Sequence, residues 1–198
     1  NPTISLTVTG LTINNTYYYR IKATTSLCSS TYVSGSVFTG YCASNSIGAT
    51  RYINNFTTSG GSTNISNTGS GYSPSGYGTF LTQIITQQIY GTVNFTTAFF
   101  NGSLTYGFNI WVDWNDDLDF NDIGEKVYAS GAFVLTATGS FTIPGNTSIG
   151  QHRMRIKADS GSLNPTACGT IASGETEDYT LEVTPLPCGE NPSNLTAI

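Results

Sequence analysis

The sequence carries little charge, and positive charge is the scarcer sign. Its 198 residues include 7 lysines and arginines against 12 aspartates and glutamates, for a net charge of −5 at pH 7. A nucleic-acid partner requires a cationic surface, so we expect none. No apolar run approaches the roughly 20 residues that a membrane-spanning helix needs. We therefore expect no membrane insertion either.

Residues that support catalysis are also scarce. The only histidine is His152, which falls in a predicted strand, where we expect it at the surface. The sequence has no Gly-x-Ser-x-Gly motif, and none of its four cysteines has a histidine nearby in sequence. Carboxylates do cluster, but a carboxylate that binds a cation stays ionised and cannot serve as a general acid. These absences predict a protein that is not an enzyme.

Glycine, tyrosine, threonine, serine and asparagine are abundant instead, and no segment shows sustained helical periodicity. This composition is typical of short strands joined by polar turns. We predict an all-β fold whose central part is a β-sandwich or jelly roll. Its predicted strands are Thr50–Phe56, Asn64–Ser66, Gly91–Thr97, Tyr106–Trp114, Lys126–Ser130, Phe133–Thr142, Gly150–Ala158 and Asp178–Val183.

The most acidic segment runs from Trp111 to Glu125. Oxygen-bearing side chains stand at alternate positions, as in a loop that surrounds a hard cation such as Ca²⁺, which takes about 6–8 oxygen ligands. We predict a calcium loop, for which an ordinary solvated acidic turn is the other interpretation. The predicted ligands in this loop are Asp113, Asn115, Asp117, Asp119 and Glu125.

The acidic segment matches only the first half of an EF-hand loop. Leu118 occupies the position of the EF-hand turn glycine, Gly124 that of the bidentate glutamate, and Glu125 comes one residue late. The preceding residues alternate with period two and therefore predict a strand, where an EF-hand has a helix. The sequence thus predicts a calcium loop on a β-scaffold.

A second acidic cluster lies in the segment Gly174–Val183, ahead of alternating apolar residues. Two interpretations are open for its carboxylates. Glu177 or Asp178 could bind the ion held by the Asp113 loop, or they could pair with Arg153, Arg155 and Lys157 of the preceding strand.

The two ends of the chain differ from its centre. Residues 1–40 predict the strands Ile4–Thr9, Thr16–Thr24 and Tyr32–Thr39, and the spacing of Leu11 and Tyr17 resembles the tyrosine corner of a fibronectin type III domain. Residues 185–198 predict a short linker followed by the first strand of another such domain. The predicted organisation is therefore two partial fibronectin-like sandwiches, 1–40 and 185–198, around a central domain, 41–184.

The central domain resembles the GEVED domain of secreted Bacteroidetes proteins, with Thr176 in place of the valine. The resemblance implies a secreted or cell-surface modular protein that contains fibronectin type III repeats, with no assigned chemistry for the module itself. It rests on motifs that occur in order: Tyr41-Cys, Tyr52-Ile-Asn-Asn-Phe, Gly71-Tyr, Gly76-Tyr-Gly, Ile110-Trp-Val-Asp-Trp-Asn, Arg153-Met-Arg-Ile, Cys168-Gly and Gly174-Glu-Thr-Glu-Asp-Tyr.

The four cysteines form no C-x-x-C motif, which argues against zinc and favours an oxidising, extracellular setting. The resemblance implies a disulfide between Cys42 and Cys168, at the two ends of the GEVED-like unit. Cys28 and Cys188 would pair with cysteines upstream and downstream of this chain, or with each other across repeated copies.

Two functions fit these observations. The first is a calcium-stabilised structural or adhesive module, whose partners would be other domains or copies of the same protein. The alternative is a carbohydrate-binding module, in some proteins an accessory to a hydrolase, that binds surface glycans through exposed aromatic rings. The candidates for such stacking are Tyr72, Tyr77 and Trp114, with Phe80 and Trp111, although core packing is the competing role for each.

Overall fold

A computed structural model describes residues 7–100 and 105–187, and this part of the chain is almost entirely β. None of the described helical residues forms a helix that is long and apolar enough to cross a membrane. Besides a 3₁₀ turn at Pro74–Gly76, the elements are β1 Thr16–Ile21, β2 Val33–Phe38, β3 Ser44–Gly48, β4 Ile53–Ser59, β5 Ser66–Thr68, β6 Tyr77–Gln88, β7 Thr92–Phe99, β8 Gly107–Val112, β9 Lys126–Ala129, β10 Thr136–Thr142, β11 Gly150–Asp159 and β12 Gly169–Thr184.

The chain divides into two compact units after Tyr41. In the first, β1 and β2 form an antiparallel pair. The Tyr17 hydroxyl accepts a hydrogen bond from the Thr12 backbone N–H at 2.8 Å, which is the kind of bond that a tyrosine corner makes. The first half of the predicted strand Ile4–Thr9, and all of the predicted strand after Cys188, lie outside the described residues, and the second half, 7–9, is not a strand. The fibronectin-like assignments of both ends stay predictions.

The second unit contains two sheets. One has the antiparallel order β10-β7-β4-β5, and the other has the order β3-β12-β11-β8-β9 with β6 also paired to β12. β12 is the centre of the larger sheet, because it is antiparallel to β11 on one side. On its other side it pairs in parallel with β3 through its first half and with β6 through its second half.

The core of this unit lies between the two sheets. Alternate side chains of β8, β11 and β12 belong to it, which is the period that a strand with one core-facing side requires. Its buried members include aromatic, branched and methionine side chains of both sheets: Ile53, Phe56, Val93, Phe95, Phe99, Phe108, Ile110, Met154, Ile156, Tyr179 and Leu181. The predicted all-β sandwich is confirmed.

Two strands of the larger sheet have no counterpart in the predicted set. β3 was missed because its buried side chains are Ser44 and Ser46, so it shows no apolar alternation. β6 was missed because Phe80, Leu81, Ile84 and Ile85 are spaced unevenly and only Ile85 is fully buried among them. Both strands form through pairing with β12 rather than through a pattern of their own.

The predicted strand Asp178–Val183 is only the last part of β12, which begins at Gly169. The acidic cluster was predicted to lie ahead of the strand. Its carboxylates lie instead in the middle of β12, where they are fully buried. Among the other strands, β4 and β5 begin later than predicted, at Ile53 and Ser66. The remaining predicted strands overlap the observed ones and differ at their ends.

Cys42 and Cys168 form the predicted disulfide, which spans 126 positions of the sequence. It joins the residues just before β3 and β12, the two strands that pair there in parallel. Lys157 supports this junction, because its ammonium donates to the carbonyl oxygens of Cys168 and Gly169, each at 3.2 Å. Cys28 is exposed and free of a disulfide within the described chain, and Cys188 lies outside it.

The double substitution Cys42→Ser/Cys168→Ser should lower the free energy of unfolding of the second unit by about 4–5 kcal/mol. The reason is that the reduced chain regains the conformational freedom of a very long loop. Urea denaturation with and without a reductant measures the change, and Cys28→Ser is the matched control, which should leave the midpoint unaltered. A double variant as stable as the oxidised protein would contradict this role of the bond.

Candidate functional site

The predicted calcium loop connects β8 to β9 and begins at the residue after β8. Asp113 is held against the neighbouring strand, because its backbone N–H donates to the Arg153 carbonyl at 3.0 Å. The chain returns at Glu125, whose carbonyl accepts a hydrogen bond from Val112 N–H at 2.8 Å. Both ends of the loop are therefore fixed by the sheet.

Within the loop, side chains at alternate positions accept hydrogen bonds from the backbone two residues ahead. Asn115 Oδ1 accepts from Asp117 N–H, Asp117 Oδ1 from Asp119 N–H, and Asp119 Oδ1 from Asn121 N–H, at 2.7–3.3 Å. These are Asx turns, in which short polar side chains replace the regular backbone partners. The alternating spacing of the sequence thus produces a tightly wound loop.

Three of the predicted ligands come together. One ligand oxygen from each of Asp113, Asp117 and Glu125 lies within 4.8 Å of the others. Asp113 and Glu125 are buried, with exposed fractions of 0% and 1%, whereas Asp117 is exposed. Carboxylates placed this close repel one another, and a bound cation removes that repulsion.

Backbone N–H groups hold two of these carboxylates in place. Asp113 accepts from the N–H groups of Asp117 and Leu118, at 3.3 and 3.0 Å. Glu125 accepts from the N–H groups of Trp114 and Asp122, at 3.2 and 3.1 Å. Glu125 thus closes the loop although it stands one residue later than an EF-hand glutamate.

The electrostatics of the cluster follow from its burial. Desolvation, helped by the nearby charges of Asp113 and Asp117 and opposed by two backbone hydrogen bonds, raises the pKa of Glu125 to about 7. A set made of carboxylate oxygens, with no sulfur or imidazole nitrogen, fits a hard cation such as Ca²⁺ better than Zn²⁺.

Two other predicted ligands are placed differently. Asp119 is not part of the converging group. The Asn115 amide nitrogen donates to Asp117 and Asp122, at 3.0 and 2.7 Å, so it braces the acidic side chains from the solvent side. Leu118 has a φ of +75°, the left-handed conformation that the EF-hand glycine provides. For leucine, that conformation costs about 1–2 kcal/mol relative to the right-handed one.

The predicted surface position of His152 is wrong. The ring is 2% exposed, and its two nitrogens lie 3.1 Å from the Asp113 carbonyl oxygen and 2.9 Å from the Ser148 carbonyl oxygen. His152 faces the same side of β11 as Met154, which is a core residue. A histidine in a strand does not reveal from sequence alone that it is buried, so the burial of His152 was not predicted.

The second acidic cluster does not join the loop carboxylates, so the interpretation of Glu177 and Asp178 as ligands of the loop ion is corrected. Asp178 pairs with the strand arginines instead. Its carboxylate receives two hydrogen bonds from Arg155, at 2.7 and 2.9 Å, and one from Arg153 at 3.0 Å. The Tyr77 hydroxyl donates a further bond of 2.6 Å. We call these four residues the arginine cluster.

Burial alone would lower the pKa of Arg155, but hydrogen bonds and the charge of Asp178 outweigh it and raise that pKa. Arg155 also donates to the carbonyl oxygens of Cys42 and Ala167, at 3.0 and 3.1 Å, so it holds both sides of the disulfide junction. The ring of Phe120, from the acidic loop, lies 4.8 Å from the guanidinium carbon. Sequence reasoning missed this contact, because nothing in the spacing marks Phe120 as a partner of Arg155.

Glu175 and Glu177 point to the opposite face of β12, into the sandwich core. Glu175 accepts from the backbone N–H groups of Ile53 and Ser73, at 2.9 and 2.7 Å. Glu177 accepts from the Tyr179 hydroxyl at 2.7 Å, and its other carboxyl oxygen has no hydrogen-bond partner among the described residues. Burial, followed by the charge of Glu175, raises the pKa of Glu177 to about 8. Burial likewise raises the pKa of Glu175, to about 7.

The predicted glycan-stacking residues do not form a common platform. The hydroxyl of Tyr72 donates to the Ser46 carbonyl, and Tyr77 belongs to the arginine cluster. Trp111 is 2% exposed beneath the Lys126 ammonium, and Phe80 packs on Tyr179. Trp114 alone borders an open cleft, which has a volume of about 560 Å³ and lies between the acidic loop and the segment 144–148.

Asp178→Asn should destabilise the second unit by about 3–5 kcal/mol, because it leaves the charge of Arg155 buried without compensation. Denaturant unfolding at pH 7 measures the loss. Arg153→Gln is the matched control and should cost clearly less, since the Arg153 side chain is 22% exposed and makes one bond to Asp178. A smaller loss for Asp178→Asn than for the control would contradict the importance of the pair.

Stability should fall as the pH rises, because the folded state holds protons on Glu177 and Glu175 that the unfolded chain releases near pH 4.5. The stabilisation is complete below about pH 4.5 and is lost as the pH passes through 7 to 8. Glu177→Gln should remove much of this dependence, whereas Glu182→Gln, on the same strand, should preserve it. Urea midpoints from pH 5 to 9 measure the slope, and an unchanged slope in Glu177→Gln would refute the assignment.

The chain has no significant match among curated proteins or among solved structures. One family model matches, and the match begins at β8 and ends in β12. It therefore contains the acidic loop, Arg153 and Arg155, and the buried carboxylates of β12. Residues 107–182 of this chain match the model of the GEVED domain family.

Proposed function

We propose that this chain is a calcium-stabilised, non-catalytic module that serves as a structural or adhesive part of a larger extracellular protein. The observation that carries the proposal is the convergence of Asp113, Asp117 and Glu125 within 4.8 Å at a loop anchored on both sides by the sheet. Calcium would bind the folded loop and not the unfolded chain, so its binding free energy would become folding free energy.

The donor set supports calcium in particular. Asp113, Asp117 and Glu125 would hold the ion, and Asx turns at Asn115 and Asp117 shape the loop that carries them. Calcium tolerates irregular coordination, so it accepts a loop that departs from the EF-hand pattern. When bound, the ion supplies positive charge and fixes the loop between β8 and β9.

The hydrogen-bond partners of the buried polar residues support a structural role. The His152 ring nitrogens lie against two carbonyl oxygens, and the carboxylate of Asp178 is occupied by two arginines and a tyrosine. Buried polar groups engaged in this way hold a fold together. The disulfide Cys42–Cys168 supports an oxidising setting, such as the outside of a cell. We propose that other domains, or copies of the same protein, are its partners.

Calcium should raise the melting temperature of the chain. At a calcium concentration about 100 times the dissociation constant, the gain is about 2.7 kcal/mol, or roughly 5–10 °C for a chain of this size. Differential scanning calorimetry in 10 mM CaCl₂ and in excess EDTA measures the shift. Asp117→Asn should abolish most of it, because it removes one of the converging charges but keeps the oxygen that accepts from Asp119 N–H.

Asp119→Asn is the matched control for Asp117→Asn. Asp119 belongs to the same loop and accepts a similar backbone hydrogen bond, but it lies outside the converging group. The control should retain the calcium shift. If Asp117→Asn lost equal stability in calcium and in EDTA, or if the native chain showed no shift, the acidic loop would be an ordinary solvated turn.

A further inference from the structure

The cleft of about 560 Å³ beside the acidic loop has the size of a small-molecule site. One wall is the loop itself, which contributes Trp114, Asn115 and Glu125. The opposite wall is the turn that follows β10 and contributes Pro144, Asn146 and Thr147. We call this space the loop cleft.

Thr147 provides an observation independent of the acidic residues. Thr147 is 8% exposed, and its hydroxyl oxygen has no hydrogen-bond partner among the described residues. An unsatisfied buried hydroxyl costs free energy, which a ligand that supplies a partner recovers. The backbone of the turn that carries Thr147 is closed by a hydrogen bond, because the Thr147 N–H donates to the Pro144 carbonyl at 3.2 Å.

The chemistry of the loop cleft selects its ligand. Trp114, Ile123 and Pro144 offer apolar surface. The indole N–H of Trp114 is already bound to the Gly124 carbonyl at 3.2 Å, so the ring has its apolar face to offer. Amide and hydroxyl groups of Asn146, Thr147 and Ser148 surround this surface. A sugar ring has the matching combination, with C–H faces and hydroxyls that both donate and accept.

The charge of the loop cleft narrows the class of ligand further. Asp122 and Glu125 line it, and none of its described lining residues is a lysine or an arginine. An anionic ligand would be repelled by these carboxylates, whereas a neutral one would not. The fit is therefore to neutral, polyhydroxylated molecules.

We propose that the loop cleft binds neutral saccharides, with Trp114 as the stacking surface and Thr147 as a hydrogen-bonding group. This inference rests on the proposed calcium function, because Glu125 belongs both to the carboxylate group and to the wall of the cleft. An ion that fixes Glu125 also fixes the position of Trp114, whose backbone N–H donates to Glu125. Saccharide binding therefore depends on calcium.

Affinity gel electrophoresis of the 198-residue chain tests the proposal, with mannan, galactan, xylan and β-glucan as neutral probes and polygalacturonate as the anionic probe. We expect at least one neutral polysaccharide to retard the protein in calcium and not in EDTA. Trp114→Ala should weaken retardation at least tenfold, and Thr147→Val roughly three- to tenfold. Phe133→Ala, an exposed aromatic residue that does not line the cleft, is the matched control and should bind normally.

The calcium shift in melting temperature is measured on the same proteins, so that the two proposals fail separately. A normal calcium shift without retardation by any neutral probe would overturn the saccharide proposal and leave the calcium function intact. Retardation that persists in EDTA, or in Thr147→Val at full strength, would overturn the loop cleft as the site. Thr147→Val removes only a hydroxyl, so it keeps the test valid if Trp114→Ala fails to fold.

Discussion

The placement of acidic side chains inside β12 is the constraint on which the second unit depends. Glu175, Glu177 and Asp178 are all fully buried in the central strand of the larger sheet. A buried carboxylate is tolerated only where its surroundings provide compensation. Each of the three obtains it from a different part of the chain: backbone N–H groups at the start of β4 and before β6, the Tyr179 hydroxyl, and the arginines of β11. These contacts join the central strand to β4, to the segment before β6 and to β11.

The same constraint connects the strand to the features at the surface. Arg155 binds Asp178 and also the carbonyl oxygens on both sides of the disulfide junction, while Phe120 of the acidic loop covers its guanidinium. The proposed calcium loop therefore does not project from the sandwich as an independent appendage. Its hydrophobic residue Phe120 closes the space above the arginine cluster. Through this contact, we expect a change in the conformation of the loop to affect the residues beside the disulfide.

Sequence reasoning found the features that depend on local pattern and missed those that depend on pairing. The alternation of acidic residues from Asp113 onward identified the loop, and the family resemblance identified the disulfide. The strands β3 and β6 carry no such pattern, because β12 supplies their hydrogen-bond partners from more than 90 residues away. For Asp178 the sequence left two roles open, since both a cation and an arginine would satisfy a carboxylate. Only the register of β11 against β12, which sets Arg155 opposite Asp178, separates them.

The parallel pairing of β3 and β6 with β12 has a consequence for the order of folding. Both strands lie early in the second unit, and their partner is its last strand. During synthesis the central strand of the larger sheet is incomplete until residue 184 is available. Until then the strands that pair with β12 have unpaired edges. Contacts of such long sequence separation also slow folding, because the chain must lose its freedom before they form. Completion of the larger sheet around β12 is therefore expected to be a late step in folding.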